Sequence, residues 1–339
     1  MRIVVAPDSF KGTATAASVA AAIADGWRAE RPDDDLVVVP MADGGEGTLD
    51  AFAAAFPDAV LQPLTVTGPA GDPVDAAWLR LPDGRGVVEL AATSGLPLLG
   101  GHLLPDTATS RGFGEAIAAA LDAGATGLVL GIGGSASTDG GASVLDVIGG
   151  RPLPRDGVTV LTDVTSPLVG PSGAAAVFGA QKGITPDRVA EFDARLSAFA
   201  ARFPHVDPST PGAGAAGGVG FGLLTWGATL VRGADGIAEV LGLPTLLVGA
   251  DVVVTGEGRF DGQSAAGKVV SVVRELAGRH APDARTVLVA GAIGAPLDAF
   301  AAAASLTVIA TQTTGEPDDA LRDPLRFAAI AGTRLARMS

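Results

Sequence analysis

The sequence predicts an α/β protein of two domains: a doubly wound parallel sheet assembled from both ends of the chain, and a mixed α/β domain inserted between them. Three observations carry this expectation. The chain has 339 residues, enough for roughly two domains of about 150 each. Short apolar runs rich in β-branched residues, each followed by a Gly- and Asp-containing loop and then helical spacing, occur near both ends. The block between them opens instead on hairpin signals. The expected division assigns 1–58 and 245–339 to the parallel domain and 59–244 to the insertion.

The first run is RIVVA at 2–6, followed by a Pro/Asp/Ser/Gly loop. Val19, Ile23 and Trp27 then recur every four residues, which is one face of a helix. LVVV at 36–39 is the second strand, MADGGEGT the next loop, and Leu49, Phe52 and Phe56 mark the helix after it. From Val60 to Leu90 the runs LQPLTV, VDAAWLRL and GVVEL are joined by GPAGDP and PDGRG turns, which predicts antiparallel hairpins. Phe113, Ile117 and Leu121 give a helix closed by Gly124, and GLVL at 127–130 a buried strand. Residues 131–232 are rich in Gly and Pro and show one plain helix, with Val189, Phe192, Leu196 and Phe199 on a face. Near the end DVVVT (251–255) leads through the loop GEGRFDGQSAAGK to a helix with Val269, Val273 and Leu276, stopped by Gly278. TVLVA (286–290) and LTVIA (306–310) read as two further buried strands.

Composition narrows the function. A net charge of −14 argues against nucleic acid as a partner and means that an anionic ligand needs a local positive pocket. The absence of cysteine excludes disulfides, thiolate metal sites and a cysteine nucleophile. His102, His205 and His280 have no metal-ligand spacing. Apolar stretches are broken by Pro and Gly, so no membrane span is expected, and the chain reads as cytoplasmic.

Lysine is the most selective signal. Only Lys11, Lys182 and Lys268 occur, each beside a glycine, while every other basic residue is arginine. A compact ammonium next to pliant backbone suits a phosphate that moves during reaction. GQSAAGKV (262–269) begins like a phosphate-binding loop, but Val269 stands where a Mg²⁺-ligating hydroxyl belongs. GIGGSA (131–136) fits a dinucleotide fingerprint whose helical context is missing. As a nest of backbone N–H groups, with Gly133, Gly134 and Ser135, it suits a phosphate better. In the loops that follow strands, Asp43 and Glu46 offer hard oxygen ligands, with Asp139 and Asp163 as further carboxylates.

Taken in order, APDSFKGT, PMADGGEGT, GIGGSASTDGGA, DVTSPLVGPSGAAAVFGAQKG, PGAGAAGG and GADVVVTGEGRFDGQSAAGK resemble the bacterial type-1 glycerate kinases, from Met1 to about Ala292. The resemblance implies one flavodoxin-like and one mixed α/β domain, an active site in the cleft between them, and transfer of phosphate from ATP to D-glycerate, giving 2-phosphoglycerate. The sequence departs from the family pattern in a shortened stretch around 149–158 and in Ser166 before Pro167-Leu168.

The expected roles follow from residue chemistry. Lys11 and Ser9 hold the moving phosphate or the glycerate carboxylate, and Asp43 and Glu46 bind Mg²⁺. Asp163, or else Asp139, accepts the hydroxyl proton. Arg259 forks onto the substrate carboxylate with Glu257 orienting it, and Lys182 and Lys268 complete the anion cradle. A non-catalytic binder of nucleotides or hydroxy-acids and an NAD-dependent hydroxy-acid oxidoreductase are the alternative readings.

Overall fold

The structure is a computed structural model that describes residues 1–10, 12–262 and 269–339; Lys11 and Lys268, both expected site residues, lie outside the described residues. Along the chain the strands are β1 (Arg2–Pro7), β2 (Asp35–Val38), β3 (Val60–Thr67), β4 (Pro73–Arg80), β5 (Gly86–Glu89), β6 (Leu128–Gly131), β7 (Val158–Leu161), β8 (Thr229–Val231), β9 (Val252–Phe260), β10 (Arg285–Ile293) and β11 (Ala302–Ser305). Two compact units result. One comprises Met1–Asp43, Asp50–Ala55 and Ala234–Ser339, the other Gly44–Leu49 and Phe56–Gly233. No described helix is long and apolar enough to cross a membrane.

In the first unit five strands lie in the order β11-β10-β9-β1-β2, and every pairing is parallel. Counted within the unit this is the flavodoxin-like order 2-1-3-4-5, whose switch point falls between β1 and β9. Ile3, Val4 and Val5 are all fully buried, so both faces of the sheet are covered, as a parallel sheet requires. Helix Ala16–Glu30 lays Val19, Ile23 and Trp27 on one face, and its Thr15 hydroxyl accepts the Ser18 N–H at 3.2 Å as a cap. Helix Pro324–Arg337 packs across it with Phe327, Ala331 and Leu335. The crossing works only with glycine on each side. A Cβ at Gly26 would fall 1.8 Å from the Ala329 oxygen, and one at Gly332 would fall 2.1 Å from the Ile23 oxygen.

Three local expectations are corrected here. LTVIA (306–310) is not a strand: Ala302–Ser305 forms β11 and helix Leu306–Thr314 follows. Leu306, Ile309 and Ala310 are buried while Val308 is exposed, which is helical spacing, and a five-residue apolar run does not reveal this by itself. GEGRF is not a loop but the continuation of β9, paired in register from Val289↔Gly256 to Ile293↔Phe260. Its glycine reflects close approach of strands, since a Cβ at Gly256 would sit 2.0 Å from the Val289 oxygen. Gly278 does not stop the helix, which runs from Val269 to His280.

The second unit holds the mixed sheet β3-β4-β5-β6-β7-β8. β3, β4 and β5 pair antiparallel, and β5 through β8 are parallel. Pro63 is tolerated because β3 is an edge strand. Helix Arg111–Asp122 covers the sheet with Phe113 and Ile117, joined by Val144, Val219 and Leu223 from later helices. A separate cluster of Leu168, Ile184, Phe192, Leu196 and Phe221 closes around helix Val189–Ala200.

Candidate active site

In the first unit a cavity of about 560 Å³ opens at the carboxyl ends of β1, β9 and β10, beside the switch point where open parallel sheets bind ligands. Asp8 and Ser9 leave β1, Asp43 follows β2, and Glu257 and Arg259 project from β9, two residues apart and so on one side of the strand. The Asp8 N–H donates to the Gly256 oxygen at 2.8 Å, fixing the loop after β1 to β9, and the Ser9 N–H donates to Asp8 Oδ1 at 2.7 Å. Asp8 and Glu257 are buried, whereas Arg259 is open to solvent and pairs with Asp261 at 3.4 Å. Phe10, Ala292 and Leu321 supply an apolar wall.

Four of the expected residues, Ser9, Asp43, Glu257 and Arg259, thus share one pocket. Asp8, Thr13, Asp261 and Thr307 line it as well and were not singled out from sequence. Asp8 had a signal, since it directly follows the first strand. The donor set is carboxylate oxygen, which suits Mg²⁺. Among the described residues no group of three or more His, Cys, Asp or Glu is placed to hold a metal alone.

Glu46 is exposed and belongs with the second unit. There the segment from Gly44 to Leu49 is held by the buried Glu89, which accepts the N–H groups of Gly47 at 3.3 Å and Leu49 at 3.0 Å at the start of helix Thr48–Ala55. The Gly133 N–H donates to the Gly44 oxygen at 3.0 Å, and a Cβ at Gly133 would fall 2.5 Å from Gly45 Cα. Gly133 therefore serves backbone packing, and its N–H is already engaged. Gly134 is exposed at the turn, with φ of 77°.

Lys182 and Ser135 meet each other inside the second unit. Lys182 is 2% exposed, and its Nζ donates to Ser135 Oγ at 2.7 Å and to the Ser137 carbonyl at 2.6 Å. Burial pushes the ammonium down to about 7, and the Asp139 carboxylate acts in the opposite sense. The two side chains have the contact of a Ser–Lys pair, and Ser135 is only 4% exposed.

Asp139 is also internal in its bonding. Oδ2 accepts from the Ser110 N–H at 3.1 Å and its Oγ at 2.7 Å, and Oδ1 accepts from Ser137 Oγ at 3.3 Å and the Gly141 N–H at 3.1 Å. These bonds anchor the starts of helices Arg111–Asp122 and Ala142–Ile148, which leaves no oxygen for a substrate proton. Asp139→Ala is expected to cost about 2–3 kcal/mol of stability, because several donors lose a charged acceptor together. An unchanged thermal midpoint would contradict this role. Asp163, two residues past β7, is exposed, and its Oδ1 accepts the Gly233 N–H at 2.9 Å.

The sequence matches the family described as the Glycerate kinase family over residues 3–160 and 153–339. The chain belongs to the glycerate kinase family. It is 40% identical to a glycerate kinase of Bacillus subtilis (strain 168), with 86% of this chain and 85% of the relative covered. It is likewise 40% identical to the glycerate 2-kinase of Escherichia coli (strain K12), with 83% of each covered. A crystal structure described as glycerate kinase 2 from Salmonella typhimurium LT2 superposes with a TM-score of 0.84 at 36% identity, covering 100% of this chain and 98% of that one. The two matched stretches overlap at 153–160, a range that shares residues with the stretch around 149–158. The expected enzyme class, a kinase of the glycerate kinase family, therefore stands.

Proposed function

We propose that this chain phosphorylates D-glycerate with ATP and Mg²⁺ in the cytoplasm, giving 2-phosphoglycerate, and that its two compact units correspond to the two expected domains. The observation that carries the reading is the switch-point pocket, which joins carboxylates, a hydroxyl and a solvent-open arginine in a member of this family. Its volume of about 560 Å³ is in the range of small-molecule sites and exceeds the needs of a three-carbon acid alone. The name of the Escherichia coli relative, a glycerate 2-kinase, supports the product isomer.

Phosphoryl transfer asks the protein chiefly for positioning and charge stabilisation. In this reading Arg259 forks onto the glycerate carboxylate, and Glu257 orients the substrate hydroxyls. Ser9 donates its hydroxyl to a phosphate oxygen. Asp8, buried beside Ser9, takes the proton of the attacking hydroxyl in place of Asp163, whose Oδ1 is occupied by Gly233. Mg²⁺, held by Asp43 with Glu46 as the second expected ligand, would neutralise charge on the nucleotide phosphates. Lys11 and Lys268 keep their expected part in the anion cradle, outside the described residues.

The test is ATP consumption by the purified protein with D-glycerate and Mg²⁺, products being resolved by phosphorus NMR. A 2-phosphoglycerate resonance growing with ADP is the expected result. No glycerate-dependent ADP formation would end the reading, and a 3-phosphoglycerate resonance would correct the isomer alone.

A further inference from the structure

Three glycine-rich segments meet at one buried atom, the Nζ of Lys182. The first is the turn 131–139 after β6, which supplies Ser135 Oγ and the Ser137 carbonyl as acceptors. The second is the short 3₁₀ turn Ala180–Lys182 that carries the lysine, ended by Gly183 at φ of 90°. The third is the segment 211–218. There Gly217, at φ of 67°, brings its backbone so close that a Cβ would stand 2.1 Å from the Ser137 oxygen and 2.8 Å from Nζ. The Gly140 N–H donates to the Gly217 oxygen at 3.0 Å, tying the third segment to the first. Ala216, at φ of 55°, is the only non-glycine residue with positive φ among the described residues, so the third segment is under backbone strain beside the ammonium.

The charged group acting on Lys182 is Asp139. The facing sequences GIGGSAST, GAQ and PGAGAAGG contain no other ionisable side chain. A buried ammonium held by a serine hydroxyl and a carbonyl is costly unless the geometry is needed. What the geometry fixes is the turn between β6 and Asp139. Its other side is hung on residues 94–96: the Leu96 N–H donates to the Gly134 oxygen at 2.9 Å and the Ala136 N–H to the Ser94 oxygen at 3.0 Å. The exposed Gly134 stands at the carboxyl end of β6, the end at which parallel strands present ligand contacts.

We propose that Lys182 is a positioning residue for the phosphotransfer reaction: its ammonium pins the Gly133–Ser137 turn in one conformation from beneath, without touching substrate. The proposal rests on the kinase reading for its kinetic consequence, but the pinning itself is independent of it.

Lys182→Met removes the ammonium at similar volume, and Ser135→Ala removes one acceptor while keeping the charge. Amide hydrogen exchange, followed by mass spectrometry, is expected to quicken at least tenfold in peptides covering 133–138 for Lys182→Met, and less for Ser135→Ala. In glycerate-dependent ATP turnover kcat is expected to fall at least tenfold for Lys182→Met, with the variant still folded. A third readout is the pH dependence of stability. Unfolded, the lysine has its ordinary value near 10.5; folded, burial holds it near 7. Between these values the unfolded chain binds the extra proton, so this group's contribution to stability rises with pH from about 7 to about 10.5 and is lost as pH falls back. The melting temperature of the wild type should therefore gain on that of Lys182→Met across this window. Exchange in 133–138 that is unchanged in both folded variants overturns the pinning, whatever the enzyme's substrate. Faster exchange with unchanged kcat overturns the positioning role, and a wild type without glycerate-dependent turnover overturns the kinase reading while exchange still decides the pin.

Discussion

Asp43→Asn is expected to leave the protein folded and to lower kcat/KM at least a hundredfold at ordinary Mg²⁺, a loss of about 2.7 kcal/mol of transition-state stabilisation. Two facts make this variant decisive. Asp43 lines the switch-point pocket with Asp8 and Glu257, and in the proposed reading its carboxylate is the ligand of Mg²⁺. In the plain rival role, support of the helix Thr48–Ala55, Glu89 already accepts the N–H groups of Gly47 and Leu49. An amide at position 43 still accepts hydrogen bonds as a cap but is a weak ligand for Mg²⁺. The check is a Mg²⁺ titration of activity and a melting curve on one sample. Wild-type turnover and Mg²⁺ dependence would remove Asp43 from the metal site, and a large fall in melting temperature would reassign it to the fold.

Gly332→Ala is expected to destabilise the first unit by about 3 kcal/mol, the upper part of the range for overpacking. The new methyl would meet the Ile23 carbonyl at 2.1 Å, and backbone yields less readily than a side chain. Helices Ala16–Glu30 and Pro324–Arg337 would have to separate, opening the contact of Trp27, Phe327 and Leu335. A fall of roughly 6–12 °C in melting temperature follows for a unit of this size. Gly278→Ala is the control, because a Cβ there meets nothing within 4 Å in a helix. It should be neutral or raise stability by up to about 1 kcal/mol. Equal behaviour of the two variants would remove the glycine crossing as a source of stability.

Much of the fold was legible because its signals are local. The hairpins from Val60 to Leu90 announce themselves by their turns, and helix faces such as Val19, Ile23 and Trp27 by their spacing. What failed depended on partners distant in sequence. Glycines in GEGRF look like punctuation until β10 is seen lying against them, and LTVIA takes its state from burial on one side only. The pocket followed the same division. Ser9, Asp43, Glu257 and Arg259 were found by looking where strands end, and Asp8 would have yielded to the same rule applied one residue earlier. The burial of Lys182 was not legible, because a lysine beside glycine looks alike in sequence whether it faces solvent or a buried carbonyl. Only the approach of Gly217 and Ser137 decides between these.

The division of the first unit between the two ends of the chain also orders events during synthesis. β1 takes its register from β2, made soon after it, and from β9, where Ile3 pairs with Val252. At ribosomal speeds the interval between those two partners is roughly 10–50 s. Through that time RIVVAP has an open edge, and by its end every strand of the mixed sheet has been made. The nascent chain thus carries a finished interior module and an unfinished outer one, and an apolar strand with a free edge is a template for pairing with another chain. A message truncated before Val252 should therefore yield aggregate, whereas 56–233 expressed alone is the piece with every strand of its sheet.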